Sequence, residues 1–291
     1  MSESVGFIGL GLMGSAIATR LMTAGRLVVW NRTPTASETF ARAGATVATS
    51  AAGVFESCST VFIMVTDEHA IDDILGFDER LLHGRTIVQM STVSPSYSAS
   101  LAVRVADAGG RYVEAPVSGS REPARNGQLI GMIAGDDDAA LDDVAELLHP
   151  VCASVVPCGR PPQAMRMKLA VNTFLITLVT GLAESFHFAE EHGLRRDQLA
   201  EILGAGPMAS FVSRAKAAAL VAADFSPQAA IPDVLKNANL VVDSARENQT
   251  EAALMVASAQ LYAEALELGH GREDMAAVIA AYRARTARLR G

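Results

Sequence analysis

Lysine is nearly absent from this sequence. Of its 24 basic residues only Lys168, Lys216 and Lys236 are lysines, the rest being arginine. Arginine stays protonated, whereas a lysine of lowered pKa gives and takes a proton near neutrality, so these three positions are the first candidates for proton chemistry. Cysteine is equally sparse. Cys58, Cys152 and Cys158 are odd in number and irregularly spaced, which argues against a disulfide framework and suits reduced thiols in the cytoplasm. Basic charge is not in excess, the net charge being -8, so a nucleic-acid partner is not expected. The start, MSES, lacks the basic region and apolar run of a secretory leader. The most apolar stretch, Leu169 to Ala183, includes Asn172 and several threonines. It is too short to span a bilayer comfortably, so it reads as a buried helix, with no membrane partner expected. His187 and His192, five apart, lack the helical spacing of a zinc pair, and no metal site is expected. Nucleophile-elbow and Walker-type phosphate motifs are missing too.

What is present is a core. Half the residues are hydrophobic and 19% are charged in a chain of 291, enough for one large or two ordinary domains. The first half alternates short β-branched runs with helical patterns. Val5 to Ile8, Leu27 to Trp30, Val61 to Val65, Thr86 to Met90 and Tyr112 to Glu114 read as strands. Gly14 to Ala24 and Ala99 to Ala108 read as helices. Such alternation predicts a parallel sheet covered on both faces. Leu129 to Ala134 and Ala153 to Val156 extend it, around a helix at Ala139 to Leu148 capped by the acidic run Asp136 to Asp138. The character changes near Gly159-Arg160-Pro161-Pro162. Met165 to His192 reads as one long helix, apolar nearly all round and stopped by Gly193. Helices follow at about 197–204, 208–222, 231–247, 251–268 and 273–289. The expected architecture is an α/β Rossmann domain over 1–160, then an all-α domain over 161–291 entered by a long interdomain helix.

The opening VGFIGLGLMG places Gly9, Gly11 and Gly14 in G-x-G-x-x-G spacing between a strand and a helix. Gly9 permits the tight turn, Gly11 a close backbone approach to a pyrophosphate, and Gly14 tight helix–strand packing. With Leu10, Leu12 and Met13 between them, these residues form the expected dinucleotide cradle at a helix N-terminus. The second strand ends in Trp30-Asn31-Arg32-Thr33, with no acid to bind the ribose 2′-hydroxyl of NAD. Arg32 suits the 2′-phosphate of NADP, and Asn31 and Thr33 can add neutral hydrogen bonds. NADPH is therefore the expected cofactor, ahead of NADH.

Taken in order, the motifs resemble those of the β-hydroxyacid dehydrogenase family, which includes 3-hydroxyisobutyrate dehydrogenases and glyoxylate or succinic semialdehyde reductases. The resemblance runs through GFIGLGLMG, STVSP at Ser91 to Pro95, EAPVSGS at Glu114 to Ser120 with NGQLIGMIAG behind it, MRMKLAVN around Lys168, VLKNANL around Lys236, and GREDMAAVI at Gly271 to Ile279. It implies that Lys168 and Asn172 are catalytic, that Ser118 and Gly119 hold a substrate carboxylate, that Thr92 contacts the cofactor near the nicotinamide, and that Lys236 is a second lysine near the cofactor, able to pair with cofactor or substrate anions. It also implies a homodimer or homotetramer. Thr92 reads equally as a loop-stabilising hydroxyl, and Lys236 as a surface lysine.

The chemistry suits those residues. Carbonyl reduction needs hydride at carbon and a proton at oxygen. An ordinary lysine pKa of about 10.4 is too high for easy reversal, but burial and the positive oxidised nicotinamide both lower it. Asn172, one helical turn from Lys168, can orient it or donate to the same oxygen. The expected activity is NADPH-dependent interconversion of a small hydroxy acid and its semialdehyde or keto acid. Two alternatives are an imine reductase of the same architecture, which usually carries Asp or Tyr in place of the lysine, and an NADPH-binding regulatory module without turnover. The pattern also departs from the family. Pro162 and Ala164 replace glycines before the lysine, Ser120 breaks a glycine pair, Met64-Val65-Thr66-Asp67 lacks the usual Leu-Pro, and Asn237 stands where an aspartate is usual. Arg121 and Arg125 read either as contacts to a further anionic group or as surface charge.

Overall fold

The computed structural model describes residues 4–76 and 78–291. The MSES start, which carried the expectation about a leader, lies outside the described residues except for Ser4. Two compact units divide the chain, Met1–Lys168 and Leu169–Gly291.

In the first unit the strands are β1 Val5–Ile8, β2 Leu27–Trp30, β3 Thr46–Val47, β4 Thr60–Ile63, β5 Thr86–Gln89, β6 Arg111–Glu114, β7 Val117–Ser118, β8 Leu129–Gly135 and β9 Cys152–Pro157. Their order is β3-β2-β1-β4-β5-β6-β8-β7, with β9 paired to β8. From β3 to β6 every pairing is parallel. β8 then runs antiparallel to β6 and β7 and parallel to β9. β1, β2, β4 and β5 lack polar alternation because both their faces are buried. Phe7 packs with Val29, Phe62, Val88 and Val113 on one face. Ile8 packs with Val28, Val61, Ile63 and Ile87 on the other.

The helices of this unit are α1 Leu12–Leu21, α2 Pro34–Arg42, α3 Ala51–Ser57, α4 Glu68–Leu75, α5 Pro95–Asp107, α6 Arg121–Arg125 and α7 Asp138–Leu148. Several start on a side-chain cap that satisfies an orphan amide. Ser50, Asp67, Ser94 and Asp137 accept from Gly53, Ala70, Tyr97 and Ala140 respectively. The acidic run at 136–138 is thus a helix start, as its spacing predicts.

α8, Gln163–Glu191, begins in the first unit and continues through the second, followed by α9 Arg196–Ala205, α10 Phe211–Ala222, α11 Ile231–Glu247, α12 Ala253–Ala265 and α13 Ile279–Arg290. Composition changes at residue 160, yet the compact units meet after Lys168. The reason is that the first turn of α8 belongs to the first unit. Met165 is packed in the core that includes Ile87 and Tyr112, and Glu114 holds the amides of Ala164 and Met165.

With 29 residues, α8 is long and apolar enough to cross a membrane by length and composition alone. The short span read at 169–183 therefore understates it. Its buried residues Leu169, Ile176, Val179, Leu182, Ala183 and Phe186 belong to the core of the second unit, with Ile231, Val234, Met255 and Tyr262. Lys216, on α10, is structural. Its Nζ donates to both carboxylate oxygens of buried Asp274 at 2.7 and 2.8 Å, and Asp274 also accepts from the amides of Gln228 and Ala229.

Candidate active site

The glycine turn lies between β1 and α1, where the strand order reverses between β1 and β4. Ligands of open α/β sheets bind at such a switch point, beyond the carboxyl ends of the strands. Gly9 has φ +99°, and a Cβ there would lie 2.1 Å from the Met64 carbonyl oxygen. A Cβ on Gly14 would lie 2.0 Å from the Gly9 carbonyl oxygen. Protein packing alone therefore dictates both glycines. Gly11 is different, because a Cβ added there meets nothing within 4 Å. Nothing in the fold requires glycine at this exposed position, whereas the close approach of a pyrophosphate does. α1 suits an anion as well. Gly11 offers no side-chain cap and the first turn has no acid, so the positive helix end is left for a ligand. Leu10 is buried, while Leu12 is 41% exposed and Met13 lies between the two.

Asn31 follows β2 and works on the turn itself. Its Oδ1 accepts from the Leu10 amide at 2.8 Å, and its Nδ2 donates to the Thr33 carbonyl at 2.9 Å. Asn31 thus shapes the cradle, a role the sequence reading did not assign to it. Arg32 and Thr33 beside it are exposed. The pairing that would hold Arg32 to a carboxylate is missing among the described residues, so its guanidinium is available to a phosphate.

Two further loops leave the same edge of the sheet. Ser91, buried, accepts from the Val65 amide at 2.8 Å, tying the loop after β5 to that after β4. Thr92, next along, is half-buried. Ser118 ends β7, and its neighbour Gly119 has φ +131°. A Cβ on Gly119 would lie 2.5 Å from Leu129 Cδ2. Gly119 is therefore required by the backbone whatever binds there, and Ser118 beside it is half-buried.

Lys168 stands on α8 and is 8% exposed. Asn172, four residues on and 2% exposed, shares its helix face. The Asn172 Nδ2 is buried and has no hydrogen-bond partner among the described residues. A buried, unsatisfied donor is costly, and beside a buried lysine it is the donor that a substrate oxygen would satisfy. Lys236 lies half-buried on α11, in the second unit. Of the family departures, Ala164 falls in the first turn of α8 and Pro162 just before it, where neither needs glycine. Gly159, retained, has φ +99°. The Asn237 Oδ1 is buried and unsatisfied.

Glu114, which opens the EAPVSGS motif, is a buried acid that sequence alone does not single out. It ends β6, is 0% exposed, and accepts from the amides of Ala164 at 3.0 Å and Met165 at 3.3 Å. Its other oxygen accepts from the Ser98 hydroxyl, which is also bonded to Tyr112. Burial raises its carboxyl pKa, opposed by these hydrogen bonds. The available signal is an acid directly after Tyr112 and Val113 at the end of a strand.

Comparison with known proteins agrees with this geometry. Residues 4–159 match the model for the NAD binding domain of 6-phosphogluconate dehydrogenase. Residues 163–282 match that for the NAD-binding domain of NADP-dependent 3-hydroxyisobutyrate dehydrogenase. Glyoxylate/succinic semialdehyde reductase 1 of Arabidopsis thaliana is 30% identical over 95% of this chain and 97% of its own length. The chain belongs to the β-hydroxyacid dehydrogenase family. As a member it is an NAD(P)-dependent oxidoreductase with that family's fold. The 3-hydroxyisobutyrate dehydrogenase structure from Salmonella typhimurium superposes with a TM-score of 0.88 at 22% identity, covering 96% of this chain and 99% of that one. An imine reductase from Pseudomonas sp. shares the fold at a TM-score of 0.63 and 24% identity, covering 97% of this chain and all of its own. The human cytokine-like nuclear factor N-PAC is 30% identical over 96% of this chain, which spans only 51% of that relative.

Proposed function

We propose that this member of the family reduces a small carboxylated aldehyde or keto acid with NADPH, and runs the reverse oxidation, using Lys168 as the proton donor and acceptor. The observation that carries the reading is the buried Lys168 with the unsatisfied Asn172 amide one turn away. NADPH, when bound at the glycine turn, supplies the hydride. Lys168 Nζ hydrogen-bonds the carbonyl oxygen and gives it a proton as charge develops there; in the oxidative direction the neutral amine takes that proton back. Asn172 Nδ2 donates to the same oxygen and fixes its orientation. Ser118 and the backbone at Gly119 receive the carboxylate, which accounts for a preference for acids. The family resemblance assigns Thr92 to the nicotinamide end of the cofactor and Lys236 to a cofactor or substrate anion. A substrate panel tests the reading: semialdehydes, 2- and 3-keto acids and cyclic imines, each with NADPH. Turnover of acids or aldehydes that disappears in Lys168→Ala supports it; turnover confined to imines overturns it.

Arg32 carries the preference for NADP. Arg32→Ala is expected to weaken NADPH binding by about ten- to a hundredfold, the size of a lost charge-assisted hydrogen bond, with NADH binding unchanged. Titration calorimetry with both dinucleotides reads this directly, and equal losses for the two would count against the assignment.

The exposed face of α8 supports our further proposal of a homodimer or larger assembly. Phe174 and Phe188 are 70% and 59% exposed and lie two heptads apart, with Gly181 exposed midway. Large apolar groups on one helix face seek a partner. Phe174→Glu with Phe188→Glu is expected to shift the mass measured by light scattering toward the monomer. The cytoplasm is the location we propose, from the sparse and irregularly spaced cysteines of the sequence.

A further inference from the structure

We propose that Glu114 is a positioning residue for Lys168: its carboxylate, held by Ser98, sets where the first turn of α8 begins and so where the lysine one turn later stands. The inference rests on the proposed role of Lys168.

A helix leaves its first amides without intrahelical acceptors, and the residue just before it usually supplies a side-chain oxygen. α8 has no such residue. It follows Pro161-Pro162 and begins at Gln163, and proline has no polar side chain to offer. The acceptor comes instead from fifty residues away, on the adjoining sheet. Glu114 Oε2 takes the amides of Ala164 and Met165 at 3.0 and 3.3 Å. These are the second and third residues of the helix. Lys168 lies one turn beyond Ala164, so a shift of this turn moves the lysine with it.

The carboxylate is itself fixed. Glu114 Oε1 accepts from the Ser98 hydroxyl, Ser98 is paired with the Tyr112 hydroxyl at 2.7 Å, and all three residues are buried. Ser98 comes from α5 and Tyr112 from β6, so sheet, helix α5 and the start of α8 meet at one carboxylate. Met165, beneath the turn, is fully buried against the core of the same unit. Packing therefore seats the turn on the sheet, while the directional bonds to Glu114 choose its register. A negative charge is favourable at this end of a helix.

The test compares wild type, Glu114→Gln and Glu114→Ala. Gln is nearly isosteric and keeps one acceptor oxygen; Ala removes the acceptor. Expected is a graded fall in kcat, reaching about ten- to a hundredfold for Ala, as for a small misplacement of a reacting group. KM for substrate and the stoichiometry of NADPH binding should stay near wild type. Amide hydrogen exchange over residues 163–170 should quicken in the same order, a readout independent of turnover. A kcat loss matched by an equal loss of NADPH-binding sites would show mere misfolding and overturn the proposal. So would unchanged kcat in both variants, with or without faster exchange, and that result would leave the reductase reading intact. A wild-type chain that turns over nothing on the panel ends the reductase reading, and this inference with it.

Discussion

Lys168→Ala should lower kcat by about 10²–10⁴-fold, the usual contribution of a positioned acid–base group, while NADPH still binds at the glycine turn. The more telling variant is Lys168→Arg. It restores the positive charge and the hydrogen-bond donors but cannot release a proton near neutral pH. If Lys168 acts only by stabilising charge on the developing alkoxide, arginine should recover much of the rate. If it transfers the proton, arginine should stay nearly as slow as alanine. Single-turnover oxidation of NADPH, followed by its absorbance, separates the two, because product release does not enter. An alanine variant with wild-type single-turnover rates would remove Lys168 from the mechanism altogether.

The glycine turn yields the second large effect, and it divides by position. Gly9→Ala and Gly14→Ala each place a methyl within about 2 Å of a backbone oxygen. Neither clash can be relieved by rotating a side chain, so overpacking should cost about 1–3 kcal/mol or more, seen as a lower midpoint in urea. Gly11→Ala meets open space and should unfold like wild type. It should nevertheless weaken NADPH binding at least about tenfold, since amide contacts to a charged phosphate are lost. The informative result is the dissociation of the two readouts. A Gly11→Ala protein that binds NADPH normally would mean that the pyrophosphate does not approach this turn.

Much of this architecture was legible in the sequence because it depends on local signals. β1, β2 and β4 carry apolar residues on both faces, and the glycine spacing sits between a strand and a helix. α11 runs Ile231–Glu247, the range its apolar periodicity predicts. What escaped depends on contacts between distant residues. β3 has only two residues, both exposed, and is a strand because β2 lies beside it. Scarcity singled out the lysines but could not separate Lys168 from Lys216, whose partner Asp274 is 58 positions away. Glu114 was visible as a motif letter, yet its role is defined by two amides at the start of a helix fifty residues later. Asn31 reads from sequence as a neutral hydrogen-bonder to the cofactor; its tie to Leu10 and Thr33 across the turn shows only in the folded chain.

The tether from Asn31 to Leu10 constrains how this enzyme could be re-engineered for NADH. The customary route installs an acid after the second strand. At position 31 an aspartate could still accept from Leu10, but it would give up the bond to Thr33 and set a carboxylate against the turn that must receive a pyrophosphate. Redesign of coenzyme choice should therefore start at Arg32, whose side chain has no polar partner among the described residues, and leave its neighbour alone.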